Sequence, residues 1–414
     1  MLPYRSLTTP FEQEKYLNRF ESLYDEMAKA GFTWATLYEN YEEHQYMSDS
    51  MLEVPHAMYT EIKNATRAVD AIYIKTYKMI KENPSIMHRL GIPIMLWDLL
   101  LEDQSKRFSY FTRYDFIASV HGLKVIEANT DTPVGLVEAA IAQNRLAKVH
   151  QVENPNEGIN RLVKEAWDQV IKDYQIRSAD TLYFTAANWH DEDKLTAKYL
   201  MQHYPQNAHY IPLEEIEVRK DGVYDPSGNQ IHFLYRLYPL EYFLHEKSGT
   251  GESIGEQFLV NVLEGKVKLI NPPQALMMQS KAVLSLITEK KKEWYTRGEQ
   301  EIIERYFLRT YDDQAGLYSY VKKPVLGREG GGITVVENNH ILDQDLDYYQ
   351  DQQMVYQEYY PMPSQTIDTW DGPYTGRLLI GSHTMNGEPA GLFFRVGEYI
   401  TGNLSMFVGF TIMK

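Results

Sequence analysis

The chain has 414 residues, 41 Lys+Arg against 57 Asp+Glu for a formal charge of −16 at pH 7, and no cysteine. This excludes a thiol nucleophile, a disulfide framework and any cysteine-ligated zinc or iron–sulfur centre, and the acidic balance argues against a nucleic-acid or anionic-membrane surface. With 43% hydrophobic and 13% aromatic residues the composition is that of a folded chain, and at roughly 100–200 residues per domain its length corresponds to about two to four packed units.

Thr9, Pro10 and Glu12 predict a helix start, with an N-cap hydroxyl, a first-turn proline and a glutamate placed to close a capping box. Phe11, Tyr16, Phe20, Leu23, Tyr24 and Met27 then recur three to five residues apart, and Gly31 is a stop signal. A second helix is expected from about Pro55 through Ile80. Residues 1–14 carry no apolar stretch of signal-peptide type. The most apolar window, 90–101, is broken by Pro93 and Asp98 and is too short to span a bilayer. A cytoplasmic protein with no membrane or nucleic-acid partner is therefore expected.

From about Phe108 the texture changes to short strands alternating with helices, as in TLYFTAA (181–187) followed by a helical run from Lys194 to Tyr204. A last stretch opens with a helix around Lys281 to Trp294 and becomes strand-rich. The fold class read from this pattern is α/β (α+β), in three parts. These are a helical N-terminal part (1–107), an α/β substrate-side region (108–275) and a nucleotide-binding region (276–414).

Residues 113–133, RYDFIASVHGLKVIEANTDTP, concentrate charge on a hairpin. With a three-residue loop, Val120-His121-Gly122, Gly122 takes the left-handed position, Ser119 faces Leu123, Asp115 falls opposite Glu127, and Arg113 opposite Asn129. All four polar side chains then share one sheet face. A two-residue loop would put Asp115 and Glu127 on opposite faces. Directly opposed carboxylates repel, and a hard cation would turn that cost into a site. Mg²⁺ takes a few carboxylate oxygens and completes its shell with phosphate and water. Asn129 adds a neutral oxygen, and Arg113 suits a phosphate or a developing oxyanion. A solvated hairpin face with ordinary charges fits the same pattern.

Residues 318–337, YSYVKKPVLGREGGGITVVE, run a strand carrying Lys322 and Lys323 into a loop with Gly327, Gly330, Gly331 and Gly332, then into a β-branched strand. It is not a Walker A loop, which ends in Gly-Lys-Ser/Thr before a helix. Glycines between two strands can close backbone N–H groups over phosphates; a surface hairpin is the alternative. VYQEYY (355–360) reads as a strand whose Gln357 and Glu358 could meet an adenine edge or ribose. Asn386-Gly387 marks a further hairpin whose second strand carries Arg395. Gly251 to Gly255 matches the spacing of a hydrolase nucleophile elbow, but it lacks the buried strand before it, and Ser253 with Glu256 reads as a capping box.

Taken in order, RYDF (113–116), KVIEANTDTP (124–133), WHDEDKLTAKYL (189–200), LYRLYPLEYF (234–243), KAVLSLITE (281–289), KKPVLGREGGG (322–332) and GEPAGLFFRVGEYITGNLSMF (387–407) resemble the synthetase domain of the glutathionylspermidine synthase family of ATP-grasp ligases. The resemblance implies an ATP-grasp fold of that type and a ligase that joins a carboxylate to an amine through an acyl phosphate, with ATP and Mg²⁺. It implies Asp115, Glu127 and Asn129 on Mg²⁺, Arg113 and Arg395 at the reaction centre, and Lys281 and Lys323 on ATP phosphates beneath the flap of Gly327, Gly330, Gly331 and Gly332. Gln357 and Glu358 would line the nucleotide pocket. Glu192 and Asp193 would lie on the amine side and Thr132 on the acid side. The substrates implied are small molecules, a peptide-like acid and a polyamine or diamine.

Two departures stand out. The family's bifunctional members carry an amidase half with a catalytic cysteine, and this chain has neither the length nor a cysteine for it. Val134 stands where a second small hydroxyl residue is expected, which puts glutathione recognition in doubt. A small-molecule kinase would use the same nucleotide apparatus, and a non-catalytic nucleotide-binding homologue would keep the fold without turnover.

Overall fold

Alternation builds the main sheet. Along the strands Glu388–Gly397 and Met406–Ile412, Phe393 and Phe407 enter one buried cluster while Phe394 and Val408 enter another, as the two-residue period of a strand requires. Both faces are thus apolar and both must be covered. In the computed structural model, which describes residues 1–8, 10–39, 41–102, 105–314, 316–346 and 348–413, helices do this. His56–Glu82 buries Ile62, Val69, Tyr73 and Ile80 at helical spacing and packs with Phe394 and Phe410 in one cluster. Ile159–Tyr174 buries Val163, Trp167 and Val170 with Phe393 and Phe407 in the other.

The sheet runs in the order Tyr4–Arg5, Met47–Val54, Met406–Ile412, Glu388–Gly397, Gly372–Met385, Phe111–Ser119, Gly122–Asn129. Only Met406–Ile412 and Met47–Val54 pair in parallel. The long strand Gly372–Met385 takes Ser364–Thr369 along its first half and Phe111–Ser119 along its second. The first hundred residues are accordingly more than helical: Met47–Val54 is a buried strand of the main sheet, because its small and apolar side chains fit a covered position.

Two smaller sheets flank this one. Lys268–Ile270, Phe233–Leu237, Leu182–Ala186 and Ala208–Tyr210 form a parallel sheet. Thr310–Tyr311, Met354–Glu358, Tyr320–Pro324, Thr334–Glu337 and His340–Gln344 form an antiparallel one. A cleft of about 840 Å³ is lined by residues of the main and antiparallel sheets and by Ala187 and Tyr238, which follow two strands of the parallel one.

Several local expectations shift. The first helix is Gln13–Lys29, with Glu12 at its N-cap and no side-chain cap bond; Thr9 lies outside the described residues. Gly31 does follow its end, at φ 99°. The run expected from Lys194 starts earlier, at Asp191, where three acidic residues suit the positive end of a helix. Ser253 precedes the helix Ile254–Leu263 but its hydroxyl makes no cap bond. No helix among the described residues is long and apolar enough to cross a membrane.

The hairpin end is clamped to the parallel sheet by buried polar bonds. Arg236 and Asp131 are both fully buried and meet at 2.6 Å, and Asp131 also accepts from the backbone N–H of Leu240 at 3.2 Å. Asn271 donates to the carbonyls of Phe111 and Thr130, at 2.9 and 3.0 Å. Removing one partner of a buried ion pair strands the other charge, at about 3–5 kcal/mol. Arg236→Met is therefore expected to lower unfolding stability by about that much in urea titrations, and Asp131→Leu added to it should recover part of the loss. A single mutant within about 1 kcal/mol of wild type would show that the clamp is not stabilising.

Candidate active site

The charged hairpin reaches its geometry by a route different from the expected one. Ser119 pairs with Gly122, so the loop has two residues, and that register alone would separate Asp115 from Glu127. A bulge shifts the register between Asp115 and Phe116, leaving Ile126 unopposed, and Asp115 returns to face Glu127 while Arg113 faces Asn129. One extra residue restores the common face.

The repulsion between the two carboxylates is met by the protein itself. The Arg113 guanidinium donates to both oxygens of Asp115 at 2.8 Å, and Asn129 donates to the same carboxylate at 3.2 Å. Lys281 approaches Glu127 at 3.5 Å. Burial pushes Asp115 up to about 6 against the pull of Arg113, with Glu127 adding to the rise. Glu127 is also pushed up by burial, but Lys281, Lys323 and Arg113 outweigh that and hold it at about 2. The pair therefore shares its protons unequally, with Glu127 the permanent anion.

Lys323 projects from the strand Tyr320–Pro324 and donates to the Gln357 side-chain oxygen at 2.9 Å and to the Ile126 carbonyl at 3.2 Å. Burial lowers it to about 8, against the opposing pull of Glu127 and with Lys281 adding to the fall. Gln357 also donates to the Ile126 carbonyl at 3.3 Å and to Thr310 at 3.4 Å. Its amide oxygen is thus engaged by Lys323 and its amide nitrogen by Ile126 and Thr310. Glu358 lines the cleft but is paired to Arg309 at 2.7 Å.

Gly327, Gly330 and Gly331 line the same cleft, and Gly332 follows them in the loop. Gly330 and Gly332 have φ of 79° and 76°, and a Cβ on Gly330 would lie 2.5 Å from Ile400; no side chain fits there without displacement. The loop is docked on the far wall by Arg328. Its guanidinium binds Glu241 at 2.7 Å and donates to the Thr132 hydroxyl at 3.2 Å. Lys281 donates to the Gly327 carbonyl at 2.7 Å. Val134 offers its carbonyl, not a side-chain hydroxyl, to Arg113 at 3.0 Å.

At the other end of the cleft Arg395 is held by the carbonyls of Ser405 and Gly402, at 3.1 and 2.5 Å. Opposite it stand Glu192 and Asp193, on the first turn of Asp191–Gln202. His190 lies 3.3 Å from Asp193, and that contact raises the imidazole to about 9. Glu192 has no hydrogen-bond partner among the described residues. Burial, Glu138 and Asp193 push it up to about 8, against His190 and Arg395.

Fifteen of the sixteen residues that sequence reasoning singled out line this one cleft; Gly332, the last glycine of the loop, does not. Sequence reasoning missed Arg328, Glu241 and Glu138. Arg328 had a signal, a lone cation inside a glycine run. Glu138 had a fainter one, a lone charge in the apolar stretch LVEAAIA.

The donor set fits Mg²⁺. Two adjacent carboxylates and an amide oxygen are what a magnesium–nucleotide site uses, the rest of the shell being phosphate and water. Among the described residues no group of three or more His, Cys, Asp or Glu forms a cage.

Known proteins similar to this chain bear on its family and fold. A glutathione synthetase-like effector from Globodera pallida superposes with a TM-score of 0.63 over 97% of this chain and 98% of that one, at 10% identity, which speaks for the fold alone. A Haemophilus influenzae protein provisionally named as an acid–amine ligase is 26% identical over 319 residues, 72% of this chain and 73% of that protein. The Escherichia coli bifunctional glutathionylspermidine synthetase/amidase is 23% identical over 369 residues, 82% of this chain but only 55% of that protein's length. The family model described as glutathionylspermidine synthase preATP-grasp matches residues 17–413, and the chain belongs to that family.

Proposed function

We propose that the protein is an ATP-dependent ligase that joins a carboxylate to an amine through an acyl phosphate. One observation carries this reading. A cationic phosphate corner, with Lys281, Lys323 and Arg113 around Asp115 and Glu127, shares a single cleft with an acidic corner at Glu192 and Asp193. Phosphoryl transfer alone needs the first corner and leaves the second without a role. A ligase needs both.

Lys281 and Lys323 neutralise phosphate charge, and the docked flap keeps water from the activated acid. Asp115, Glu127 and the Asn129 side-chain oxygen would hold Mg²⁺, which, when bound, supplies charge neutralisation on phosphate oxygens. The carboxylate takes the γ-phosphoryl group and ADP departs. The amine nitrogen then forms the C–N bond as phosphate leaves with the C–O pair, Arg113 and Arg395 holding the oxyanion. The bound ammonium first gives one proton to Glu192, whose near-neutral pKa suits a base, and the second proton lost as the C–N bond forms leaves with the departing phosphate. Thr132 and Arg328 supply polar contacts on the acid side. Val134 supplies no hydroxyl there, so glutathione is not required by these residues.

Three outcomes test the reading. Asp115→Asn and Glu127→Gln should each abolish ADP release that depends on both an acid and an amine, while circular dichroism stays native. Both mutants turning over as wild type would remove the ligase assignment. Lys323→Ala loses a charge-assisted contact worth roughly 1.5–3 kcal/mol, so ATP affinity should fall by about 10- to 100-fold; an unchanged nucleotide-induced rise in melting temperature would exclude Lys323 from the ATP site.

The third concerns pH. Glu192 is raised to about 8, so it is neutral below that pH and an incoming ammonium must displace its proton. Affinity for a cationic amine should rise by about tenfold per pH unit up to pH 8 and then level, until the amine itself loses its proton near pH 10. Calorimetry in buffers of different ionisation heat should register about one proton released at pH 7, and none for Glu192→Gln. Equal release by both proteins would place the titrating group elsewhere.

A further inference from the structure

Behind the acidic corner lies a charge with no assigned role. Glu138 begins the π-helical turn Glu138–Ala142, is 0% exposed, and has no ion-pair partner among the described residues. Its Oε1 accepts from the Tyr46 hydroxyl at 2.8 Å and from the Trp34 indole N–H at 3.1 Å. Its Oε2 has no hydrogen-bond partner. Buried carboxylates are normally paired, because an unpaired charge in the interior is costly, and widened helical turns recur at functional sites.

Trp34 and Tyr46 both line the cleft, and each spends its polar group on Glu138. The wall therefore has aromatic rings in front and a carboxylate behind. The same charge acts on Tyr46 and on Glu192. The groups facing this corner from neighbouring elements are Glu192, Asp193 and His190 from one side and Arg395 from the other, its guanidinium 5.8 Å from the Tyr46 ring; Arg113 also acts on Glu192 but is spent on both oxygens of Asp115, and Glu329 adds a further negative charge near His190. With Asp193 matched by His190 and Arg395 the remaining cation, Glu138 and Glu192 leave the corner one negative charge in excess when both are ionised.

We propose that Glu138 is a specificity-determining residue for the amine substrate: with Glu192, it supplies the unpaired negative charge that selects a protonated amine over a neutral nucleophile. This rests on the ligase reading. The low-dielectric wall between Glu138 and the cleft transmits its field with little screening, so Glu138 acts without touching the amine. A bound ammonium is the counter-charge that the corner lacks.

Glu138→Gln tests this, because the amide oxygen can still accept from Tyr46 and Trp34 while the charge is lost. With 1,4-diaminobutane as the probe in calorimetry at pH 7.5, the variant is expected to bind about tenfold or more weakly, with KM for ATP within twofold of wild type. The pH midpoint for proton release on diamine binding should move to lower pH, since one negative neighbour of Glu192 is gone; a purely structural role would not move it. Tyr46→Phe removes one donor but keeps the charge, and should weaken diamine binding no more than about threefold with the midpoint unmoved. Wild-type affinity and midpoint in Glu138→Gln would overturn the proposal, as would a wild type that does not bind the diamine. Should Glu138→Gln not fold, a tenfold loss in Tyr46→Phe with an unmoved midpoint would also overturn it, since the hydrogen bond rather than the charge would then matter. The ligase reading fails separately, if wild type shows a Mg-ATP melting shift but no ADP release with any acid–amine pair.

Discussion

Two carboxylates held face to face across a hairpin are the constraint around which this cleft is organised. Asp115 and Glu127 meet only because a one-residue bulge corrects the register left by a two-residue turn. Like charges so placed cannot stand alone in a buried setting. Arg113 clamps one, and Lys281 and Lys323 flank the other. Each of these cations comes from a different segment, so satisfying one local repulsion draws the hairpin, the helix beginning at Ala282 and the strand Tyr320–Pro324 to a single point.

The same point is where three sheets converge. The hairpin belongs to the main sheet, Lys323 and the glycine flap to the antiparallel one, and the Asp131–Arg236 clamp joins the hairpin end to the parallel one. The flap is held by Arg328 on Glu241 and Thr132, and it thereby closes one wall of the cleft against another. A rigid scaffold with its polar groups already paired costs little to reorganise when charge develops, which is the basis of electrostatic catalysis.

Charge is segregated along the cleft. Cations dominate around Asp115 and Glu127; anions dominate around Glu192, where Glu138 adds a buried charge of its own. In the proposed reaction the cations would hold the phosphate-bearing group and the acidic corner the amine, with Arg113, which feels both Glu127 and Glu192, between them.

Much of this was legible in the residues. The Asn386-Gly387 turn, the glycine run after Lys323 and the hairpin that carries Asp115, Glu127 and Asn129 follow from local rules, because turn signals depend on neighbours in sequence. What the sequence left undecided was set by distance in the fold. The parallel pairing of Met47–Val54 with Met406–Ile412 joins segments about 360 residues apart, and no local pattern records a partner. The bulge at Ile126, the capture of the Gln357 amide by Lys323 and the solitary Glu138 behind Tyr46 and Trp34 are tertiary outcomes of the same kind. Strand register and charge pairing minimise energy over contacts made only once the chain has closed on itself, and a carboxylate reads as a surface charge until packing leaves it nowhere else to go.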